Sequence, residues 1–302
     1  MSDANSAAVY CENLTKVYKD FWGRDKVRAL EDLSLTIERG EVFGLLGPNG
    51  SGKSTTIKLL LGLIFPTRGR ATILGHPSGS TAINERIGFL PEESYLYRFL
   101  NGEEILKFYG RLFKIDRRTL NKRVPELLDI VGLDGKARKR KLREYSKGMA
   151  RRIGLAQALI NNPDLILLDE PTTGLDPIGT REMKDLIISL KQQGKTVLLC
   201  SHLLADVQDV CDRITILFRG KMQQLGAVKD LLQVRDVTQI QTTGMTEAQI
   251  TELRAVMARM GLGDTQITHP TTTLEDLFMR IVRENTGIEG KSIAYTGSNE
   301  VS

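Results

Sequence analysis

Cysteine is scarce in this chain: three occur in 302 residues, Cys11, Cys200 and Cys211. No two form a CxxC pair, and the three histidines build no cluster beside them. That excludes a disulfide framework and a cysteine–histidine zinc site, and it fits a reducing compartment. Long apolar runs are missing too. A membrane-crossing helix needs roughly 18 or more consecutive apolar residues. The longest run here, around Leu59 to Phe65, is far shorter and is broken by Gly62. Met1 to Ala8 is polar and lacks the apolar centre of a signal peptide. Any membrane role is therefore expected to come through a partner. No charge of one sign dominates: 42 Lys and Arg against 37 Asp and Glu leave a net +5. This mild excess is compatible with anionic ligands, nucleic acid or an anionic membrane surface, and it decides among none of them.

What is present suits a globular protein. The hydrophobic fraction is 41%, enough to fill a core, and the length predicts one large domain with at most a small appendage. Val9 to Leu14 reads as a short strand. Leu33, Leu35 and Ile37 alternate with polar residues, the period of a half-buried strand. Glu41 to Leu46 is more continuously apolar, followed by a glycine-rich turn and a helix from Ser54 to Leu63. Short strands are expected at Arg70–Leu74 and Ile87–Leu90. From Asn101 the spacing turns helical, with Ile105, Phe108, Tyr109 and Leu112, then Val124, Leu127, Leu128 and Val131. Strands resume at Leu165–Leu168, Thr196–Cys200 and Ile214–Phe218. Buried strands alternating with helices predict an α/β fold with a parallel sheet covered on both faces. Beyond about Val234, Val237–Thr242 could be a strand, Thr246 with Gln249 forms a capping-box pattern, and Thr273 opens another helix. The tail after Asn285 is rich in Gly, Ser and Thr and is expected to be disordered.

Gly47-Pro48-Asn49-Gly50-Ser51-Gly52-Lys53-Ser54 fits G-x-x-x-x-G-K-[ST], the Walker A or P-loop pattern, with Thr55 following. Glycines let successive N–H groups turn inward onto phosphate oxygens, and the next helix adds its positive N-terminal end. Lys53 can reach the β- and γ-phosphates, and the Ser54 hydroxyl can ligate Mg²⁺. Leu165 to Glu170 is four apolar residues ending in two carboxylates. A buried strand delivers such acids to the sheet edge where ligands bind. Asp169 would hold Mg²⁺, and Glu170 would orient the attacking water. Ser201-His202 ends another apolar strand. A lone histidine is usually structural, but His202 emerges from the same edge and could hydrogen-bond a γ-phosphate.

The order of these motifs resembles the ABC ATPase family. Tyr145-Ser146-Lys147-Gly148-Met149 is similar to that family's signature, and Asp176, in Pro171-Thr172-Thr173-Gly174-Leu175-Asp176, to its D-loop. Tyr18 sits where the family places an aromatic that stacks on adenine. The resemblance spans about Val9 to Leu231. It implies a P-loop NTPase (RecA-like) core over residues 9–233 with an antiparallel β subdomain and a helical subdomain inserted at about 95–160. A small C-terminal α+β appendage (234–285) and a tail (286–302) would follow. It also implies an ATPase using ATP and Mg²⁺, working as a homodimer or heterodimer. Ser146, Lys147 and Gly148 would meet the ATP held by the other copy.

Three residues depart from the family pattern. Glu92 stands where glutamine is usual and offers an oxygen to Mg²⁺ or water. Lys147 replaces a glycine and would bring positive charge toward the partner's nucleotide. Met149 replaces a glutamine. Ile87 to Glu92, Tyr145 to Met149 and Thr273 to Phe278 resemble segments of single-domain ATPases serving ABC-2-type exporters. A separate transmembrane permease is thus the implied partner, at the cytoplasmic face of a bacterial inner membrane. The basic run Lys136 to Arg143 keeps open a soluble ABC-type ATPase acting on ribosomes or nucleic acid. Its plainer reading is a solvated link to the signature, with nucleic acid not expected as a partner. A regulatory subunit of low activity is a third reading, motivated by Glu92 and Lys147.

Overall fold

A computed structural model describes residues 6–93, 95–133, 135–232 and 246–259. In chain order its strands are β1 (Val9–Lys19), β2 (Asp25–Ile37), β3 (Val42–Leu46), β4 (Arg68–Ile73), β5 (His76–Pro77), β6 (Ile87–Leu90), β7 (Leu165–Asp169), β8 (Thr196–Ser201), β9 (Arg213–Phe218) and β10 (Lys221–Ala227). The helices are α1 (Lys53–Leu60), α2 (Gly102–Leu112), α3 (Arg117–Ile130), α4 (Gly135–Lys139), α5 (Lys147–Ala158), α6 (Pro177–Gln192), α7 (Leu204–Gln208), α8 (Val228–Leu232) and α9 (Glu247–Arg259). The chain divides into two units, residues 1–230 and 231–302.

In the first unit, six strands lie in the order β10-β9-β3-β8-β7-β6. β9, β3, β8, β7 and β6 run parallel. Every residue of β3, β7 and β8 is buried, which is why these stretches carry almost no polar residues. β10 pairs antiparallel with β9 and closes the edge. The sequence reading did not anticipate it: its exposed positions are Lys221, Gln224 and Leu225 and none of its residues is fully buried, so no apolar alternation marks it. The turn marks it instead. Arg219 and Gly220 both have positive φ, 49° and 79°, as a tight two-residue hairpin requires.

A second, four-stranded antiparallel sheet has the order β2-β1-β4-β5. β1 runs five residues beyond the expected Leu14, through register shifts between Cys11 and Leu14 and again between Leu14 and Lys16. Each shift breaks the alternation by which a strand is read from sequence.

Between β6 and β7 the chain inserts α2 to α5. Asn101 caps α2 by accepting from Glu104 N at 2.9 Å, while Glu104 Oε2 accepts from Asn101 N at 2.8 Å. Such reciprocal caps satisfy backbone donors that the first helical turn leaves unpaired. Ile105, Leu106, Val124, Leu128 and Ile153 fill the interior of the insert. α5 returns against β6 so closely that a Cβ on Gly88 would lie 2.2 Å from the Ala158 carbonyl oxygen.

The three cysteines are buried and free. Among the described residues no helix is long and apolar enough to cross a membrane. In the second unit, α9 follows the anticipated cap: Thr246 N donates to Gln249 Oε1 at 2.9 Å, and Gln249 N to Thr246 Oγ1 at 3.4 Å. The strand expected at Val237–Thr242, the helix opened by Thr273 and the tail lie outside the described residues.

Candidate functional site

The glycine-rich loop joins β3 to α1, and its glycines are dictated by space as well as by conformation. Gly47 has φ 155°, and a Cβ there would lie 2.3 Å from the Leu217 carbonyl and 2.4 Å from Ser51 Oγ. Gly52 has φ 110° and caps α1. Lys53 is buried and donates to the Gly47 carbonyl at 2.7 Å and the Pro48 carbonyl at 3.4 Å. Its Nζ also lies 3.5 Å from Glu170 Oε1, with both side chains 6% exposed. Asn49 and Gly50 form the exposed crest of the loop, and Ser54 and Thr55 open the first turn of α1 half-buried.

β7 delivers the acids. Asp169 accepts from the Ser54 hydroxyl, and burial raises its pKa; Ser54 opposes the rise, the Glu170 and Glu92 charges add to it, and Lys53 offsets it. Asp169 Oδ1 is buried without a hydrogen-bond partner. Glu170 has a positive φ of 52°, a conformation worth roughly 1–3 kcal/mol of strain in a non-glycine residue. Surrounding bonds hold it there. Its amide donates to the Cys200 carbonyl at 2.9 Å, carrying β8 past the end of β7. Its Oε2 accepts from Thr173 Oγ1 at 3.2 Å and stands 2.8 Å from His202 Nδ1.

An orphaned carboxylate oxygen beside a serine hydroxyl is a donor set that suits Mg²⁺. That ion favours one or two protein oxygens with water and phosphate completing its shell. Ser54 and Asp169 would hold it. Among the described residues no group of three or more His, Cys, Asp or Glu forms an all-protein cage. Ser51 Oγ and Thr172 Oγ1 are likewise buried and unpartnered, further polar atoms for phosphate or water.

The signature residues lie elsewhere. Ser146 caps α5, accepting from Met149 N at 3.2 Å, and Asp176 caps α6, accepting from Gly179 N at 2.6 Å. Ser146, Lys147, Gly148, Gly174, Leu175 and Asp176 line one cleft of about 610 Å³, and no residue of the 47–55 loop lines it. The Lys147 side chain lies over Gly174, where a Cβ would meet its Nζ at 1.9 Å. Within one chain its ammonium is thus directed at its own D-loop. Tyr18 is 37% exposed on β1, with the Lys16 ammonium 5.3 Å from its ring centroid. The Glu92 side chain is exposed.

One residue had no assigned role in the sequence reading. Arg151, 6% exposed, donates to five backbone carbonyls: Pro171 at 3.2 Å, Pro91 at 2.5 Å, Glu92 at 2.7 Å, Asp169 at 2.6 Å and Glu170 at 2.5 Å. The available signal was a pair of arginines, Arg151 and Arg152, in a helix of small and apolar residues. Adjacent helical residues point about 100° apart, so the pair could send one side chain inward and the other outward. Arg152 pairs with Glu182.

A phosphate loop at the end of one parallel strand and two acids at the end of another define a P-loop nucleoside-triphosphate hydrolase. The family described as ABC transporter matches residues 30–173. The chain belongs to this family, as an ATP-binding protein. It is 48% identical to an ABC transporter ATP-binding protein of Synechocystis over 72% of its own length and 62% of that protein's, so it spans less than two thirds of that relative. It is 43% identical to the Nod factor export ATP-binding protein I of Bradyrhizobium diazoefficiens, covering 69% of this chain and 67% of that one. Among solved structures, a dimeric post-hydrolysis ATP-binding cassette, MJ0796 bound to ADP and Pi, aligns with TM-score 0.66 at 30% identity. That alignment covers 73% of this chain and 98% of the cassette.

Proposed function

We propose that two such subunits, identical or related, close head to tail around ATP and Mg²⁺ and so drive a separate export permease of the ABC-2 type. The observation that carries this reading is the separation of the two half-sites. The 47–55 loop and the acids form one cluster, while Ser146, Lys147, Gly148 and Asp176 line a cleft without any of that loop. A second copy would bring the halves together. Lys53 and the loop amides would hold the triphosphate, with Tyr18 stacked on adenine. Ser54 and Asp169 would hold Mg²⁺, with Glu92 as a further oxygen. Glu170 would orient the water. Ser146 and the Gly148 amide, at the positive end of α5, would contact the γ-phosphate of the other copy's ATP. His202, whose Nδ1 stands 2.8 Å from Glu170 Oε2, would turn Nε2 toward the γ-phosphate.

The permease has a candidate landing place. Tyr97, Phe99 and Phe108 are 46%, 69% and 37% exposed, and their rings form a chain at 5.4–5.9 Å. They continue through Tyr109 toward a groove lined by Phe89, Leu112 and Phe113. Contiguous exposed aromatics mark interaction surfaces. This supports a peripheral place at the cytoplasmic face of a bacterial membrane. The name of the Bradyrhizobium relative supports export. Half of the basic run is engaged within the chain, Arg138 with Asp129, Lys141 with Glu104 and Arg143 with Glu144, which favours a link to the signature over a nucleic-acid surface.

Glu170→Gln tests the shared site. It is expected to bind ATP, to run as a dimer on size exclusion when ATP is present, and to release no phosphate. Hydrolysis at the wild-type rate would remove Glu170 from its role.

A further inference from the structure

Arginine has five N–H donors. In Arg151 all five are used, and every acceptor is a backbone carbonyl. The acceptors belong to two segments. Pro91 and Glu92 follow β6; Asp169, Glu170 and Pro171 follow β7. Because the acceptors are main-chain oxygens, the carboxylates of Glu92, Asp169 and Glu170 stay available for other partners. Arg151 lies five residues beyond Ser146, on the helix that Ser146 caps. At about 1.5 Å per residue the two are within one and a half turns of a rigid element. A shift of α5 at its capped end therefore moves the guanidinium. The guanidinium in turn holds the backbone from which three site acids project.

We propose that Arg151 is a positioning residue that links engagement of Ser146 by the other copy's ATP to the placement of Glu92, Asp169 and Glu170. The proposal rests on the shared-site reading above. It goes beyond that reading by naming the path from one nucleotide to the acids serving the other. A buried charge held by five carbonyls is costly to remove, because each oxygen left behind is unsatisfied. The link is therefore stiff.

The test is a double-mutant cycle on ATP turnover with Arg151→Gln, Ser146→Ala and the pair. Rates are scaled to the binding-competent fraction, titrated with a fluorescent ATP analogue. Arg151→Gln is expected to lower kcat at least tenfold with KM for ATP changed less than threefold. Arg151→Lys, which keeps the charge and some of the donors, is expected to recover part of the loss. The two single losses are expected to be non-additive, the pair falling little below the worse single variant. Fully additive losses, or an unchanged kcat in Arg151→Gln, would overturn the proposal. A residue that only supports the fold would reduce the binding-competent fraction and leave the scaled kcat alone. If Arg151→Gln does not fold, the same cycle is run with Arg151→Lys. Failure of the shared site has a different signature: Glu170→Gln would stay monomeric with ATP and Ser146→Ala would keep full turnover, whatever Arg151 does.

Discussion

Asp169 shows how a site residue can oppose the stability of its own fold. Burial lifts its pKa above the ordinary carboxylate value of about 3.9, so the folded chain holds the proton more tightly than the unfolded chain does. Above the unfolded pKa the ionised group therefore destabilises the fold, and the penalty fades as pH falls through the raised value. Asp169→Asn removes the charge while keeping the shape. It is expected to raise Tm at pH 7, with a gain that shrinks as pH is lowered into the carboxylate range. If Asp169 holds Mg²⁺ as proposed, phosphate release should fall by about a hundredfold or more. Thermal melts from neutral pH down to the lowest pH at which the wild type stays folded check the first part; a lower Tm at pH 7, or a gain that never shrinks across that range, would contradict the assigned cause.

At the scale of elements, the fit between β6 and α5 holds the helical insert to the sheet. Gly88 adopts an ordinary extended conformation, so its requirement is space alone: an added methyl would meet the Ala158 carbonyl at 2.2 Å and Pro163 Cγ at 3.0 Å. Gly88→Ala should cost about 1–3 kcal/mol, a fall in Tm of roughly 2–10 °C. A melt within a degree of wild type would show that the contact yields easily. The same junction explains what could be read from sequence. β3, β7 and β8 were legible because burial on both faces leaves unbroken apolar runs. The phosphate loop and the acid pair were legible because their chemistry is contiguous in the chain. β10 was not, since an edge strand facing solvent keeps polar residues. Arg151 was not, since its acceptors lie 18 to 20 and 59 to 60 residues away and are carbonyls, which any residue supplies.

For the whole molecule, the question is where force leaves the ATPase. The aromatic chain from Phe99 through Tyr97 to Phe108 sits at the start of the helical insert, the part that Arg151 fastens to the acids. A partner seated there would feel α5 move. Such a partner should depend on the rings, whereas the isolated ATPase should not. Phe99→Asp is expected to reduce recovery of the permease from solubilised membranes at least tenfold. Basal ATP turnover should stay within twofold, because a 69% exposed side chain contributes little to the fold. Undiminished co-purification would move the docking surface elsewhere on the subunit. Loss of basal turnover alongside it would mean that this surface serves the nucleotide site and not a membrane partner.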